Sequence, residues 1–238
     1  DTAAIWGAAQ VHRFSYRGGT TADRSYGSAD TQVDIRTSGR RLRELLERLH
    51  RDNPGVPIDI VAHSQGGLVV RSALAYEADS GDPRLPPIAS VVTLGTPHHG
   101  ANLATFGALL SQTTLGLAAE TAAGALGVGG IDPRSTSVQQ LAETSLFIQE
   151  LNNRPLPPGI DFTSIAARGD PVVPSPRAHL DGATNVIVDV PGIGTDHSEL
   201  PGSDVATREI ALAVSGRDPT CASFLDILGD SVTGAATS

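Results

Sequence analysis

The stretch IDIVAHSQGG at residues 58–67 most constrains what this chain can fold into. A mostly apolar run ends in small residues around Ser64, and the LVVRSAL segment that follows is typical of the start of a helix. Strand, sharp turn and helix in this order form the setting in which a serine hydroxyl is exposed at the end of a parallel strand. The strained backbone of such a serine requires small residues two positions to either side, and Ala62 and Gly66 meet that need. The usual pattern has glycine at both positions, so Ala62 is a departure. The competing interpretation is a buried strand-to-helix turn that happens to contain a serine.

Strand-like and helical segments alternate along the chain and predict an α/β fold, with a mainly parallel sheet covered by helices on both faces. Besides the strand that leads to Ser64, strands are predicted at residues 11–16, 88–94, 160–167 and 185–190. Helices are predicted to end within residues 1–10, to run from an N-cap at Asp30 to about residue 51, to follow Ser64, and to occupy residues 203–214. One apolar stripe at helical spacing joins Leu42, Leu45, Leu46 and Leu49.

Length and charge narrow the class of protein. The 238 residues suit a single domain, which we assign to residues 1–215, followed by a tail at 216–238. The formal net charge of −9 argues against nucleic-acid binding, which needs a basic surface, and against an anionic membrane as an obligate partner. Cys221 is the single cysteine, so no disulfide can form within the chain.

A serine hydroxyl becomes a useful nucleophile only when a base removes its proton and an acid orients that base. Asp170 lies in a turn directly after the predicted strand 160–167, and His197 lies in a glycine-containing loop after the predicted strand 185–190. The order Ser64, Asp170, His197 is the nucleophile–acid–base order expected after a strand–turn–helix serine. These three residues are the predicted catalytic triad.

Other side chains compete for the acid and base positions. Asp161 opens its strand, Asp181 is a second alternative, and Asp196 adjoins His197 in sequence but would point elsewhere. The remaining histidines precede the acid or follow it closely in a turn: His12, His50, His63, His98, His99 and His179. The adjacent pair at 98–99 also suggests a metal, but a metal site needs three or four converging groups and no spaced set of further ligands accompanies it. We expect this pair to line the floor of the cleft or to hydrogen-bond to loops.

Five short stretches resemble bacterial lipases and esterases of the α/β-hydrolase fold: AHSQGG at 62–67, LGTPHHG at 94–100, LN at 151–152, GDPVV at 169–173 and DHS at 196–198. The likeness spans about residues 11–215. It is closest to small triacylglycerol lipases whose elbow also begins with alanine, and it extends to the glycolipid-anchor inositol deacylase group. The resemblance implies carboxylic-ester hydrolysis through an acyl-enzyme, with Ser64 as nucleophile, His197 as base and then acid, and Asp170 orienting His197. No cofactor or metal is implied.

Acyl transfer also needs two backbone N–H donors for the developing oxyanion. Gln65, the residue after the nucleophile, supplies one. The resemblance places the other after a strand that precedes residue 11 in sequence and lies in the sheet between the strand at 11–16 and the Ser64 strand. That strand is missing from this sequence, and its absence would leave a gap in the centre of the sheet. We therefore expect the 238 residues to be part of a longer secreted or cell-surface protein.

The region 101–150 is rich in Ala, Leu, Gly and Thr and is the predicted lid. Its apolar residues would suit a long acyl chain, namely Leu103, Phe106, Leu109 and Leu110. The alternative is that these segments merely cover the sheet. We therefore expect a monomeric hydrolase of lipid or small esters that contacts lipid interfaces transiently. An acyltransferase with the same triad and a non-catalytic hydrolase-like binding module are the rival interpretations.

Overall fold

Four parallel strands form the sheet of this protein. The structure is a computed structural model that describes residues 10–80, 86–101, 132–190 and 197–220. The strands are β1 (Ile58–His63), β2 (Ile88–Leu94), β3 (Asp161–Ala167) and β4 (Thr184–Val188), and they lie in the order β1-β2-β3-β4. Because the carboxyl ends of parallel strands meet at one edge of a sheet, the loops after β1, β2 and β3 converge there.

Helices cover both faces of this sheet. They are α1 (Ser28–Thr31), α2 (Ile35–Asp52), α3 (Gln65–Ser80), α4 (Thr136–Gln140), α5 (Leu146–Asn152), α6 (Ser175–Ala178) and α7 (Asp204–Val214), with a 3-10 helix at Leu200–Gly202. The alternation of side chains along β2 sends Val91 into a core under α2 and α3, and Val92 and Leu94 into a second core under α7. The prediction of a mainly parallel sheet with helices on both faces is confirmed.

The predicted strand at residues 11–16 is wrong. Phe14 makes only an isolated antiparallel bridge to Thr20, and the chain turns back on itself between them. The turn uses left-handed backbone at Gly18 and Gly19 and is closed by a hydrogen bond of 2.9 Å from the Ser15 N–H to the Gly19 carbonyl. In the part of the chain that the structure describes, β1 is the edge strand, so no neighbouring strand is present to extend the pairing of residues 11–16.

The predicted helix at 30–51 is correct in its body and wrong at its start. Asp30 lies inside the short helix α1, and α2 begins later because Asp34 is its N-cap, with Asp34 Oδ1 accepting the Arg36 N–H at 2.8 Å. The leucine stripe faces the core as predicted: Leu42, Leu45 and Leu46 are buried and Leu49 is partly buried. The strands predicted at 160–167 and 185–190 and the helix at 203–214 are each observed within two residues of their predicted ends.

Part of the predicted lid region belongs to the core. Helices α4 and α5 lie at its C-terminal end. Val138 of α4 is buried, and Phe147 and Ile148 of α5 are buried in the core on the α2–α3 side of the sheet. The four apolar residues expected to face the active site fall within residues 102–131, outside the described residues. Residues 1–9 of the helix end predicted at 1–10 also lie outside them. The lid and the domain boundary at residue 215 therefore stay predictions. No helix in the described ranges has the length and apolar character needed to cross a membrane.

Candidate active site

Ser64 occupies a one-residue turn between β1, which ends at His63, and α3, which begins at Gln65. Its φ of 54° is the only positive φ of a non-glycine residue in the described part of the chain, and such a conformation costs an L-residue on the order of 1–3 kcal/mol. Hydrogen bonds hold it in place. The Ser64 N–H donates to the Leu94 carbonyl at 2.8 Å, and the Thr96 hydroxyl donates to the Ser64 carbonyl at 2.9 Å. The predicted strand–turn–helix setting of this serine is therefore observed.

Small residues allow the strand and the helix to approach. A Cβ atom added at Gly66 would lie 3.7 Å from the Cβ of Ala62, an ordinary contact, so alanine fits where glycine is usual. Gly67 is more tightly enclosed, because an added Cβ would lie 2.2 Å from the Thr96 hydroxyl oxygen. The sequence pattern indicated that positions 62 and 66 need small residues. The packing shows that a side chain is excluded most strictly at position 67.

Gln65 is the first residue of the 16-residue helix α3. The first backbone N–H groups of a helix have no partner within the helix and carry partial positive charge, which suits an oxyanion. The Gln65 side chain points to another element, since its amide donates to the Thr31 carbonyl at 2.9 Å. The role of the Gln65 backbone N–H as an oxyanion donor stays a prediction, and so does the second donor.

Asp170 and His197 form a buried pair. His197 Nδ1 donates to Asp170 Oδ2 at 2.7 Å, and both side chains are at most 2% exposed. The other carboxylate oxygen accepts the N–H groups of Val172 and Val173 at 2.8 and 3.0 Å. The hydrogen on Nδ1 is donated to the carboxylate in this hydrogen bond. In the neutral His197 ring, Nε2 therefore carries no hydrogen. That atom is buried and has no hydrogen-bond partner in the described residues, so it is available to accept a proton.

No direct hydrogen bond joins the Ser64 hydroxyl to His197 Nε2, because that nitrogen has no partner among the described residues. Two neighbours of Ser64 contact His197. The His63 ring packs against the His197 ring at 4.6 Å between centroids, and Leu94, which accepts the Ser64 N–H, precedes Gly95, which lies against His197. In unliganded enzymes the nucleophile–base hydrogen bond is often long and tightens only when substrate binds.

The rival acids lie elsewhere. Asp161 is exposed at the start of β3, the end opposite to Asp170. The Asp181 side chain is 81% exposed, and its Oδ1 lies 3.3 Å from His179 Nε2. Asp196 is outside the described residues. In the described ranges, Asp170 is therefore the buried aspartate that reaches a histidine.

The adjacent histidines at 98 and 99 differ in environment. His98 is fully buried, its Nε2 lies 3.0 Å from the Thr93 hydroxyl and its Nδ1 lies 3.5 Å from the Arg71 guanidinium. Both of its ring nitrogens therefore have protein partners. His99 is partly buried, and its ring stacks on the His179 ring with 6.3 Å between the centroids. Among the residues that the structure describes, no group of three or more His, Cys, Asp or Glu side chains could hold a metal ion.

His63 and His98 are expected to make the chain less stable in mild acid. Burial and then the neighbouring His197 lower the pKa of His63 to about 4 from 6.5, and burial and then Arg71 lower the pKa of His98 well below its usual value. Between about pH 6.5 and 4 the unfolded chain therefore binds protons that the folded chain does not, and the free energy of unfolding falls as the pH drops. The shift at His63 alone corresponds to on the order of 3 kcal/mol. Urea unfolding at several pH values across this window measures the slope.

The control for this pH dependence is a pair of glutamine variants. His63→Gln is expected to flatten the slope, whereas His12→Gln at an exposed position is expected to leave it unchanged. A free energy of unfolding that stays constant across the window would contradict the lowered pKa values of His63 and His98.

Gly95 makes room for His197, which the sequence did not predict. Its φ is +51°, and an added Cβ would lie 2.8 Å from His197 Cε1 and 3.1 Å from Nδ1. Gly95→Ala is expected to displace the imidazole and to lower catalysis roughly 100-fold, because a misplacement of about 1 Å can have that effect. The left-handed backbone adds about 1–2 kcal/mol of destabilisation. The two measurements are the rate at which a fluorophosphonate probe labels Ser64 and the melting temperature.

Gly159→Ala is the matched control for this variant. Gly159 also has a left-handed φ, of +79°, but no atom lies within 4 Å of an added Cβ. It should lose a similar amount of stability and no activity. Equal activity of the two alanine variants would show that the Gly95–His197 contact does not matter.

Comparisons with known proteins agree with the fold. A family model described as "Domain of unknown function (DUF7379)" matches residues 36–123, and the comparison with curated proteins finds no match. Phospholipase PlaB from Legionella pneumophila, in complex with thio-NAD, is similar at 14% identity with a TM-score of 0.51, over 89% of this chain and 53% of PlaB.

Two further solved structures are similar at lower scores. The mature lipase BlEst2 from Bacillus licheniformis is 20% identical over 74% of this chain and 79% of its own, with a TM-score of 0.45. A metagenomic carboxyl esterase is 17% identical over 83% of this chain and 62% of its own, with a TM-score of 0.44. Together with the parallel sheet, the similarity to PlaB shows that this chain has the α/β-hydrolase fold, as predicted.

Proposed function

We propose that this protein is a serine hydrolase that cleaves carboxylic esters through an acyl-enzyme on Ser64. The observation that carries the proposal is the buried His197–Asp170 hydrogen bond of 2.7 Å, which leaves a bare imidazole Nε2 beside a strained serine turn. A surface histidine or an incidental serine would need neither the buried carboxylate nor the positive φ. This combination favours a nucleophile, a base and an orienting acid over a purely structural turn.

In the proposed reaction, Ser64 Oγ attacks the ester carbonyl carbon while its proton moves to His197 Nε2. The tetrahedral intermediate expels the alcohol, which takes that proton from His197, and the acyl group remains on Ser64. Water then attacks the acyl-enzyme, His197 accepts a proton from it and returns one to Ser64, and the carboxylic acid is released. Asp170 holds the imidazole and stabilises its cationic form, and the Gln65 N–H donates to the oxyanion.

The proposed substrate is a lipid-like ester. The sequence of 101–150, with its apolar residues and few charges, supports a site for an acyl chain. PlaB, one of the solved structures with a similar fold, is described as a phospholipase, and we extend the lipid ester class from it to this chain. A secreted or cell-surface location, a monomeric state and transient contact with lipid interfaces complete the proposal.

Fluorophosphonate labelling with mass spectrometry of tryptic peptides tests this function. Trypsin cleavage after Arg51 and Arg71 releases residues 52–71, a peptide in which Ser64 is the single hydroxyl-bearing side chain. Label on this peptide would identify Ser64 as an activated nucleophile without further fragmentation. Hydrolysis of p-nitrophenyl esters of increasing chain length would then report the acyl preference.

A folded chain that carries no label on residues 52–71 would overturn the proposal and favour a non-catalytic hydrolase-like module. Label together with transfer of the acyl group to glycerol in preference to water would instead indicate an acyltransferase. A rate that shows no jump above the aggregation threshold of the substrate would leave the 101–150 region as a simple cover for the sheet.

A further inference from the structure

His63 contacts the backbone of the proposed base as well as its ring. It is the last residue of β1 and directly precedes Ser64. Its Nε2 lies 3.0 Å from the backbone carbonyl oxygen of His197, and the two imidazole rings pack at 4.6 Å between centroids with 35° between their planes. A carbonyl oxygen only accepts hydrogen bonds, so the Nε2 of His63 must carry the hydrogen.

This hydrogen bond complements the one that His197 Nδ1 donates to Asp170. Asp170 holds the His197 side chain through Nδ1, and His63 holds the His197 main chain through its carbonyl oxygen. The imidazole is therefore fixed at the ring and at the backbone that carries it. Since His63 is covalently joined to Ser64, its hydrogen bond also ties the backbone of the base to the nucleophile turn.

The charge state of His63 suits this position. The titratable groups that face it are His197 and Asp170; burial and His197 lower its pKa to about 4, and Asp170 opposes that shift. His63 is therefore neutral at neutral pH. A neutral ring can pack against His197 when His197 becomes an imidazolium during acylation, whereas a cationic ring would repel it.

We propose that His63 is a positioning residue that acts through His197, keeping the imidazole aligned on Ser64 by donating to the His197 carbonyl; this inference rests on the proposed hydrolase function. His63 touches no reacting atom in this proposal. Loss of its donor leaves a buried carbonyl without a partner and frees the His197 backbone to move. We therefore expect the loss of this donor to slow the chemical step and to leave substrate binding unchanged.

Two substitutions of His63 distinguish the effect of its hydrogen-bond donor from the effect of its aromatic ring. His63→Phe keeps an aromatic ring and removes the donor, whereas His63→Gln supplies an amide nitrogen that is, like the imidazole Nε2, four bonds from Cα. For the full chain, we expect His63→Phe to lower kcat and the fluorophosphonate labelling rate roughly tenfold with KM unchanged, and His63→Gln to recover most of that loss. His12→Gln, at an exposed histidine, should match the wild type.

A measurement independent of activity distinguishes failure of this inference from failure of the proposed function. The proton shared between His197 Nδ1 and Asp170 should give a low-field ¹H NMR signal that persists in His63→Gln and broadens or disappears in folded His63→Phe. A wild-type chain that neither labels nor hydrolyses esters would overturn the function, and an unchanged low-field signal in His63→Phe would overturn the positioning role. Equal losses of kcat in the two His63 variants, or wild-type kcat in His63→Phe, would likewise overturn the positioning role.

Discussion

Replacing Ser64 by alanine is expected to reduce ester hydrolysis to background and to abolish fluorophosphonate labelling of residues 52–71. Loss of the nucleophile removes the covalent route altogether, and in a well-studied serine protease the corresponding change costs about 10⁶-fold in kcat. Alanine also lacks the hydroxyl that His197 would deprotonate. Initial rates with p-nitrophenyl esters and the mass of the labelled peptide give the two readouts.

Ser25→Ala is the control for this variant, because Ser25 is exposed and lies outside the site. It should retain wild-type rates. Both variants should also keep the melting temperature of the wild type. Alanine is smaller than serine, and the hydrogen bonds of Ser64 described above are made by its backbone N–H and carbonyl. Labelling of residues 52–71 that persists in Ser64→Ala would contradict the assignment of the nucleophile.

Asp170→Asn is expected to lower kcat by about 10⁴-fold while leaving the fold intact. The asparagine carbonyl oxygen can still accept the N–H groups of Val172 and Val173, as Asp170 Oδ1 does. The amide NH₂ would then face His197 Nδ1 and donate to it, so the ring hydrogen would move to Nε2. A histidine protonated at Nε2 cannot take the serine proton. The kinetics of ester hydrolysis and of labelling measure the loss.

The matched control is Asp181→Asn. Asp181 forms the other histidine–aspartate pair, with His179, but is 81% exposed at its side chain. It should retain full activity, because an exposed pair of this kind contributes only about 0–1 kcal/mol. If Asp170→Asn kept activity within about tenfold of the wild type, Asp170 could not be the orienting acid.

The local sequence correctly predicted those helices and strands whose apolar pattern matches their surroundings in the fold. The apolar run at residues 88–94 became β2 with both ends as predicted, and the leucine spacing of α2 produced the buried face. The strand predicted at residues 11–16 failed because a strand needs a neighbour, and alternation in one segment says nothing about its partner. The start of α2 was placed four residues early because Asp30 and Asp34 are both acceptable caps, and only the path of the chain chooses between them.

Sequence alone therefore determined the residue types and the order of the proposed site: a serine in a strand–turn–helix context, an aspartate after a later strand, and a histidine after the next. Those features are local and depend on a few adjacent residues. Only the tertiary structure decided that Asp170 reaches His197 while Asp161 and Asp181 do not, that Gly95 and Gly67 must lack a side chain, and that His63 holds the His197 carbonyl. These are contacts between residues far apart in the chain, and their distances depend on how the parallel strands bring their carboxyl ends together.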